Sequence, residues 1–236
     1  FIMDIFSPKT DQSEKLPVVV HLRCDSFIYG DRRHSRRYAE NMAEKGYIVF
    51  CIDYRPIFKT DLRNQIKDVT AGLEAVSEYL KEYDTDESRI FMTADPTAGF
   101  PALYVSAMFR SEKLREAVRC KASLIDFKAI GIISGFFYLK RADFFGTICA
   151  DMYVSSPKMD TNLLQYMDPE HPEIIKNLPP VFMVTGSSDI LQDDTLKLGK
   201  VLETEYRFYK IINYDSSHID HAFVVRNPDG KKSKKT

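Results

Sequence analysis

The stretch Arg89-Ile90-Phe91-Met92-Thr93-Ala94-Asp95-Pro96-Thr97-Ala98-Gly99-Phe100-Pro101-Ala102 changes character halfway along. Residues 89–93 form a short, almost uninterrupted apolar run, the pattern of a strand covered on both faces. Residues 94–99 are small, acidic or proline, the composition of a tight turn. From there to about residue 110 the chain suits a helix. A strand, a sharp turn and a helix in that order form half of a β-α-β unit.

The same alternation extends outward on both sides. Residues 17–22 (PVVVHL), 47–53 (YIVFCID), 127–134, 181–185 and 208–213 read as further apolar strands. Between them, residues 36–45 have helical spacing and stop at Gly46. Leu62, Ile66, Val69, Leu73, Val76 and Leu80 recur three and four apart within 61–83, and residues 193–206 keep the same period. Strands alternating with helices predict an α/β fold with a mostly parallel central sheet flanked by helices. One domain over residues 1–236 suits that architecture. The rhythm breaks at about residues 135–178, aromatic at first and then punctuated by Pro157, Pro169 and Pro172. An irregular insertion between core strands predicts a lid over a pocket.

Composition narrows the function classes. Lys and Arg total 33 against 34 Asp and Glu, so the net charge is −1, which removes the electrostatic case for a nucleic-acid partner. No run approaches the ~20 apolar residues of a membrane helix. Cys24, Cys51, Cys120 and Cys149 are far apart and form no CxxC pair. They read as free thiols in a reducing compartment, hence a cytoplasmic expectation. No signal peptide is visible from Phe1, although a leader trimmed before that residue would leave no trace. Glycine is scarce: ten in 236 residues is about 4%, against a usual share of roughly 7%.

The order of motifs resembles the α/β-hydrolase superfamily, in its carboxylesterase/lipase branch related to hormone-sensitive lipase. Glu44-Lys45-Gly46-Tyr47 followed by Asp53-Tyr54-Arg55 looks like the family's signature around its fourth strand. Asp68-Val69 and residues 89–102 match in place. Gly186-Ser187-Ser188-Asp189-Ile190-Leu191 looks like the acid loop, and His221-Ala222-Phe223 like the histidine loop. The resemblance covers nearly the whole chain and implies nucleophile, acid and histidine in that order.

Three devices carry that chemistry, and this sequence keeps one. The nucleophile belongs on a strained G-x-S-x-G turn, and the ungapped match puts Pro96 at its serine, with Ala94 and Ala98 at the flanking glycines. Proline offers no attacking atom, and its ring fixes φ near −65° where the turn needs a positive value. Thr97 is the alternative hydroxyl, but a β-branched residue with positive φ is a steric outlier. The oxyanion loop, H-G-G-G in the family, aligns with Arg23-Cys24-Asp25-Ser26, and the resemblance implies Thr97 as a further oxyanion position. Glycines allow close backbone approach there, and a carboxylate would oppose a developing oxyanion. The acid and histidine positions are retained as Asp189 and His221, with His218 a rival for the second.

Other features have plainer readings. Asp215, His218, Asp220 and His221 lack the spacing of a zinc motif, so no metal and no cofactor is expected. Residues 32–37 (RRHSRR) read as a solvated helix start, with contact to an acidic partner as the alternative. His21 reads as a half-buried strand residue, and Lys231 to Lys235 as a solvated tail. Cys24 would serve as a nucleophile only with its pKa lowered by a cation such as Arg23. The expectation is an esterase scaffold without catalysis, binding a small acyl ester, another hydrophobic ligand or a protein partner. The competing expectation is a working carboxylic-ester hydrolase with a non-standard nucleophile.

Overall fold

A computed structural model describes residues 3–9, 14–23, 35–56, 59–121, 125–141, 143–149, 161–216 and 219–236. The six strands expected from the sequence are present: β2 (Leu16–Arg23), β3 (Ile48–Asp53), β4 (Thr85–Ala94), β5 (Ala129–Ile133), β6 (Val181–Gly186) and β7 (Tyr209–Tyr214). A seventh, β1 (Met3–Phe6), was not foreseen and runs antiparallel along β3. The sheet order is β1-β3-β2-β4-β5-β6-β7, parallel throughout apart from β1.

The helices are α1 (Arg36–Glu44), α2 (Leu62–Tyr79), α3 (Gly99–Met108), α4 (Glu112–Val118), α5 (Phe144–Cys149), α6 (Thr161–Leu164), α7 (Pro172–Ile175), α8 (Gln192–Thr204) and α9 (Phe223–Arg226). Asp61 caps α2 by accepting from the Asn64 backbone N–H at 2.8 Å, which satisfies one of the donors a helix start leaves open. The stripe Leu62, Ile66, Val69, Leu73 and Val76 is fully buried. It packs with Val18, Val20, Leu22, Phe50 and Ile52 from one face of β2 and β3. On the opposite face α1 lays Ala39 and Ala43 on Val19, Val49 and Cys51. Because side chains alternate across a strand, neighbouring residues of β2 serve the two layers in turn.

Three expectations need correction. His21 is fully buried rather than half-buried, because its place in β2 turns it under α1. The aromatic beginning of the expected lid is core: Phe136, Phe137, Tyr138 and Leu139 are buried in the same cluster as α2 and α3. So are Leu163, Tyr166, Ile174, Ile175 and Leu178 near its other end, and residues 150–160 lie outside the described residues. The basic tail is not simply solvated. Ser233 is buried with its hydroxyl on the Phe223 carbonyl, and Tyr214 Oη donates to the Lys232 carbonyl at 3.3 Å.

Strand order reverses between β2 and β4. The chain leaves β2 for β3 on one side and returns through α2 to β4 on the other. A crevice at the carboxyl ends of the strands follows from that reversal, and open α/β sheets bind ligands there. Arg23, Asp53, Asp95 and Pro96 all sit at this rim.

Candidate active site

Asp189 follows the end of β6, and His221 lies beyond β7. Gly186 lets their loops meet, since a Cβ there would come 2.6 Å from Ile219 Cγ2. His221 Nδ1 lies 2.8 Å from Asp189 Oδ1. The same carboxylate accepts from the Leu191 N–H at 2.9 Å and from Thr185 Oγ1 at 3.1 Å. Its side chain is fully buried, whereas that of His221 is 28% exposed.

Ser134, just past β5, joins the two loops. Its hydroxyl accepts from the Ala222 N–H at 3.0 Å and also engages Asp189. Both Ser134 and Ala222 have left-handed backbones, with φ of 50° and 58°. Burial works against ionisation of Asp189, but hydrogen bonds from His221, Ser134 and Leu191 outweigh it and hold its pKa below the usual carboxylate range.

A pH dependence of stability follows. The pKa of Asp189 is lower folded than unfolded, so its stabilising contribution is complete above its ordinary value of 3.8. That contribution fades as pH falls through the lower folded value. Asp189→Asn is expected to flatten the loss of urea stability as pH falls below about 4. An unchanged acid limb in that variant would contradict the assignment.

Residues 95–99 do not form a left-handed nucleophile turn. Asp95 leaves β4 with φ −72° and ψ 167°, and Pro96 opens a right-handed 3-10 turn, Pro96–Ala98, that runs into α3. Its ring suits that first position, where no N–H is required. Among the described residues, left-handed non-glycine backbones occur only at Arg119, Ser134, Tyr206 and Ala222. Neither Pro96 nor Thr97 has the conformation a nucleophile elbow needs. The turn is held down by Phe136, whose N–H donates to the Pro96 carbonyl at 2.8 Å and whose carbonyl accepts from Phe100 N–H at 3.0 Å. Gly99 permits this approach, because a Cβ there would lie 2.9 Å from the Phe136 oxygen.

Asp95 turns inward. It accepts from the Ser35 hydroxyl at 3.0 Å, and its other oxygen lies 3.3 Å from His21 Nε2. The latter is an ion-pair distance without hydrogen-bond alignment. His21 Nδ1 meets Thr93 Oγ1 at 2.9 Å.

Of the four oxyanion-loop positions, Cys24, Asp25 and Ser26 lie outside the described residues, as do Arg32, Arg33, His34 and His218. Arg23 is described: it ends β2, is 1% exposed, and pairs through its guanidinium with Asp53 at the matching position of β3. A second pair follows, in which Arg55 grips Asp68 with two hydrogen bonds of 2.7 Å. Among the described residues no group of three or more His, Cys, Asp or Glu side chains could hold a metal ion. Arg36 and Arg37 are partnered on α1 by Glu40 and by Asp229 respectively.

The sequence reading missed Ser134, Thr185 and Ser35, and it named Asp53 only within a family signature, not as the partner of Arg23. A serine–glycine pair ending an apolar strand is itself a turn signal, and Ser134-Gly135 carried it. The other three share a hydrogen bond across long sequence separations or within a loop, which no local pattern announces.

A parallel sheet with this reversal, and an acid–histidine pair beyond its last two strands, define an α/β-hydrolase of the esterase/lipase kind. The chain belongs to the BD-FAE family, whose model matches residues 3–193. It is 24% identical over 231 residues to a probable isoprenylcysteine alpha-carbonyl methylesterase, ICMEL1, of Arabidopsis thaliana, covering 92% of this chain and 48% of that protein. Esterase LipI of Mycobacterium tuberculosis is 23% identical over 221 residues, covering 84% and 63%. The chain thus spans about half to two thirds of these relatives' lengths. A crystal structure of esterase B from Lactobacillus rhamnosis with a tributyrin phosphonate inhibitor superposes with a TM-score of 0.90 at 22% identity, covering 99% of this chain and 76% of that one. Among the described residues no helix is long and apolar enough to cross a membrane.

Proposed function

We propose that this chain is a catalytically inactive member of its esterase family that acts by binding a small acyl or other hydrophobic ligand, or a protein partner. The observation that carries this reading is Pro96: at the position where the family resemblance puts the nucleophile stands a buried ring on a right-handed turn. Acyl transfer needs an oxygen, sulfur or nitrogen there to form the covalent intermediate. Arg23, Cys24, Asp25 and Ser26, in place of a glycine-rich loop, further support it, because the buried Arg23 guanidinium, paired with a part-exposed Asp53 carboxylate, occupies the rim where backbone donors would stand. In this reading Asp189 and His221 persist as a hydrogen bond that fastens two loops.

One observation favours the second reading, a hydrolase with a non-standard nucleophile. The Asp189–His221 geometry is that of a histidine oriented by a carboxylate, and the ring is partly exposed. Thr97 or Ser26 would then supply the hydroxyl.

Short-chain nitrophenyl esters separate the two readings. Hydrolysis is expected at the uncatalysed rate, and turnover above about 1 s⁻¹, within the ordinary enzyme range, would reject inactivity. A fluorophosphonate probe should leave the protein unlabelled. A label on Thr97 or Ser26 would establish the alternative.

A further inference from the structure

The acid–histidine pair is built around one proton, and its position follows from the geometry. The Asp189 side chain is fully buried and its pKa lies below the usual carboxylate range, so at neutral pH its oxygens only accept. The 2.8 Å contact with His221 Nδ1 is therefore an N–H donating to the carboxylate. When the ring is neutral, Nε2 carries the lone pair. The Leu191 N–H at 2.9 Å and Thr185 Oγ1 at 3.1 Å hold the carboxylate, which in turn fixes the ring. The Nδ1 edge is turned to that buried group, which leaves Nε2 on the far side of a side chain that is 28% exposed. Among the described residues no donor bonds Nε2, and the atom is not sealed from solvent.

In the hydrolases that this chain resembles, the nucleophile's hydroxyl donates to that nitrogen. At the matching position stands Pro96, which has no hydrogen to give. The carboxyl rim thus carries an oriented acceptor without its usual donor. A ligand that completes it must bring an O–H or N–H group, and charge narrows the choice. A carboxylate at Nε2 would lie across a single imidazole from the Asp189 carboxylate, and like charges in a poorly solvated site repel. An ammonium would bring three N–H groups to one acceptor. Ile190, next to Asp189 and 59% exposed, adds apolar surface to the same loop. A neutral hydroxyl on an apolar body meets these conditions.

We propose that this rim binds a neutral apolar alcohol or phenol, whose hydroxyl takes the place of the family's serine and donates to His221 Nε2. The inference rests on the binding reading given above and supplies the chemistry of its ligand. It gives the retained pair a task beyond fastening two loops: Asp189 is a positioning residue that decides which ring nitrogen accepts.

Binding of naphthol to the intact chain at neutral pH tests it. Methoxynaphthalene has the same body without a donor, and naphthoate is the anionic counterpart. Naphthol is expected to bind about tenfold or more tightly than either, the equivalent of one well-made hydrogen bond. In nitrogen NMR the His221 Nε2 resonance should move as an acceptor's does when it gains a hydrogen bond. Asp189→Asn can present an N–H to Nδ1 and put the ring proton on Nε2, so it should weaken naphthol about tenfold. His221→Ala should reduce naphthol to the level of the methyl ether. Equal binding of naphthol and its ether, tighter binding of naphthoate, or an unmoved His221 resonance with naphthol bound overturns the proposal. Should either variant fail to fold, the naphthol-to-ether ratio and the nitrogen spectrum of the unaltered chain decide. The two readings fail separately. Ester turnover by the unaltered chain would end the inactive reading and leave the naphthol preference standing, whereas no naphthol binding would end this proposal and leave the chain inactive.

Discussion

Pro96→Ser is expected to leave the protein without measurable hydrolysis of nitrophenyl acetate or butyrate. Restoring the hydroxyl addresses only one of three defects. A nucleophile elbow works because its residue has positive φ and projects its oxygen from the end of the strand. Here Pro96 begins a right-handed 3-10 turn, and Phe136 clamps that turn from above through two backbone hydrogen bonds. A serine placed there inherits that turn, because the clamp involves backbone atoms that the substitution does not alter. Ala94 and Ala98, in place of the two flanking glycines, keep Cβ atoms where the tight turn leaves little room.

The third defect is electrostatic. Loss of a single oxyanion donor costs on the order of 10²–10³ in kcat, and loss of the nucleophile on the order of 10⁶. These effects are not additive, but either one alone would hide turnover in an ordinary assay. Arg23 pairs with Asp53 at the carboxyl end of β2, so its charge is already compensated before any substrate arrives. Ester turnover in P96S within tenfold of a typical 10 s⁻¹ enzyme would show that this rim still stabilises an oxyanion. It would also return the chain to the catalytic members of its family.

What the sequence disclosed, and what it hid, follows from the range of each interaction. Six of the seven strands among the described residues were legible because continuous apolar runs between turn residues leave few alternatives. The exception, β1, is a four-residue edge strand, too short for a period to show. Asp189 and His221 were found through their motifs, and the structure brings their side chains together. The right-handed turn at Pro96–Ala98 was readable because a proline restricts its own φ regardless of context. Hidden were the contacts that join distant residues through one side chain. Ser134 reaches Ala222 across 88 positions, and Ser35 reaches Asp95 across 60. Nothing in local composition distinguishes such a serine from one in a solvated turn. The aromatic run after Gly135 misled because Phe136 and Phe137 have the composition of a lid and the burial of a core.

The inward turn of Asp95 sets the last expectation, a loss of stability. Asp95→Ala is expected to cost about 3 kcal/mol, within the range for breaking a buried polar pair, and to lower the melting temperature by roughly 6–12 °C at this chain length. Asp95 is 1% exposed and holds groups from two other elements, the Ser35 hydroxyl at the start of α1 and His21 in β2. Alanine would leave the Ser35 hydroxyl without its acceptor and away from water, at a cost of about 1–3 kcal/mol, and would remove the carboxylate that lies 3.3 Å from His21 Nε2. Asp95→Asn, which retains an acceptor for Ser35, should lose markedly less. A double-mutant cycle with His21→Ala should show a coupling of about 1 kcal/mol or more, since the two side chains share one buried site. Glu40→Ala supplies the scale, because its pairs with Arg36 and Arg37 are on the surface and should change stability by no more than about 0.5 kcal/mol. Should Asp95→Ala unfold at the same urea concentration as Glu40→Ala, the acidic residue beside Pro96 would be dispensable to the fold. Its retention next to Pro96 would then need a cause outside packing.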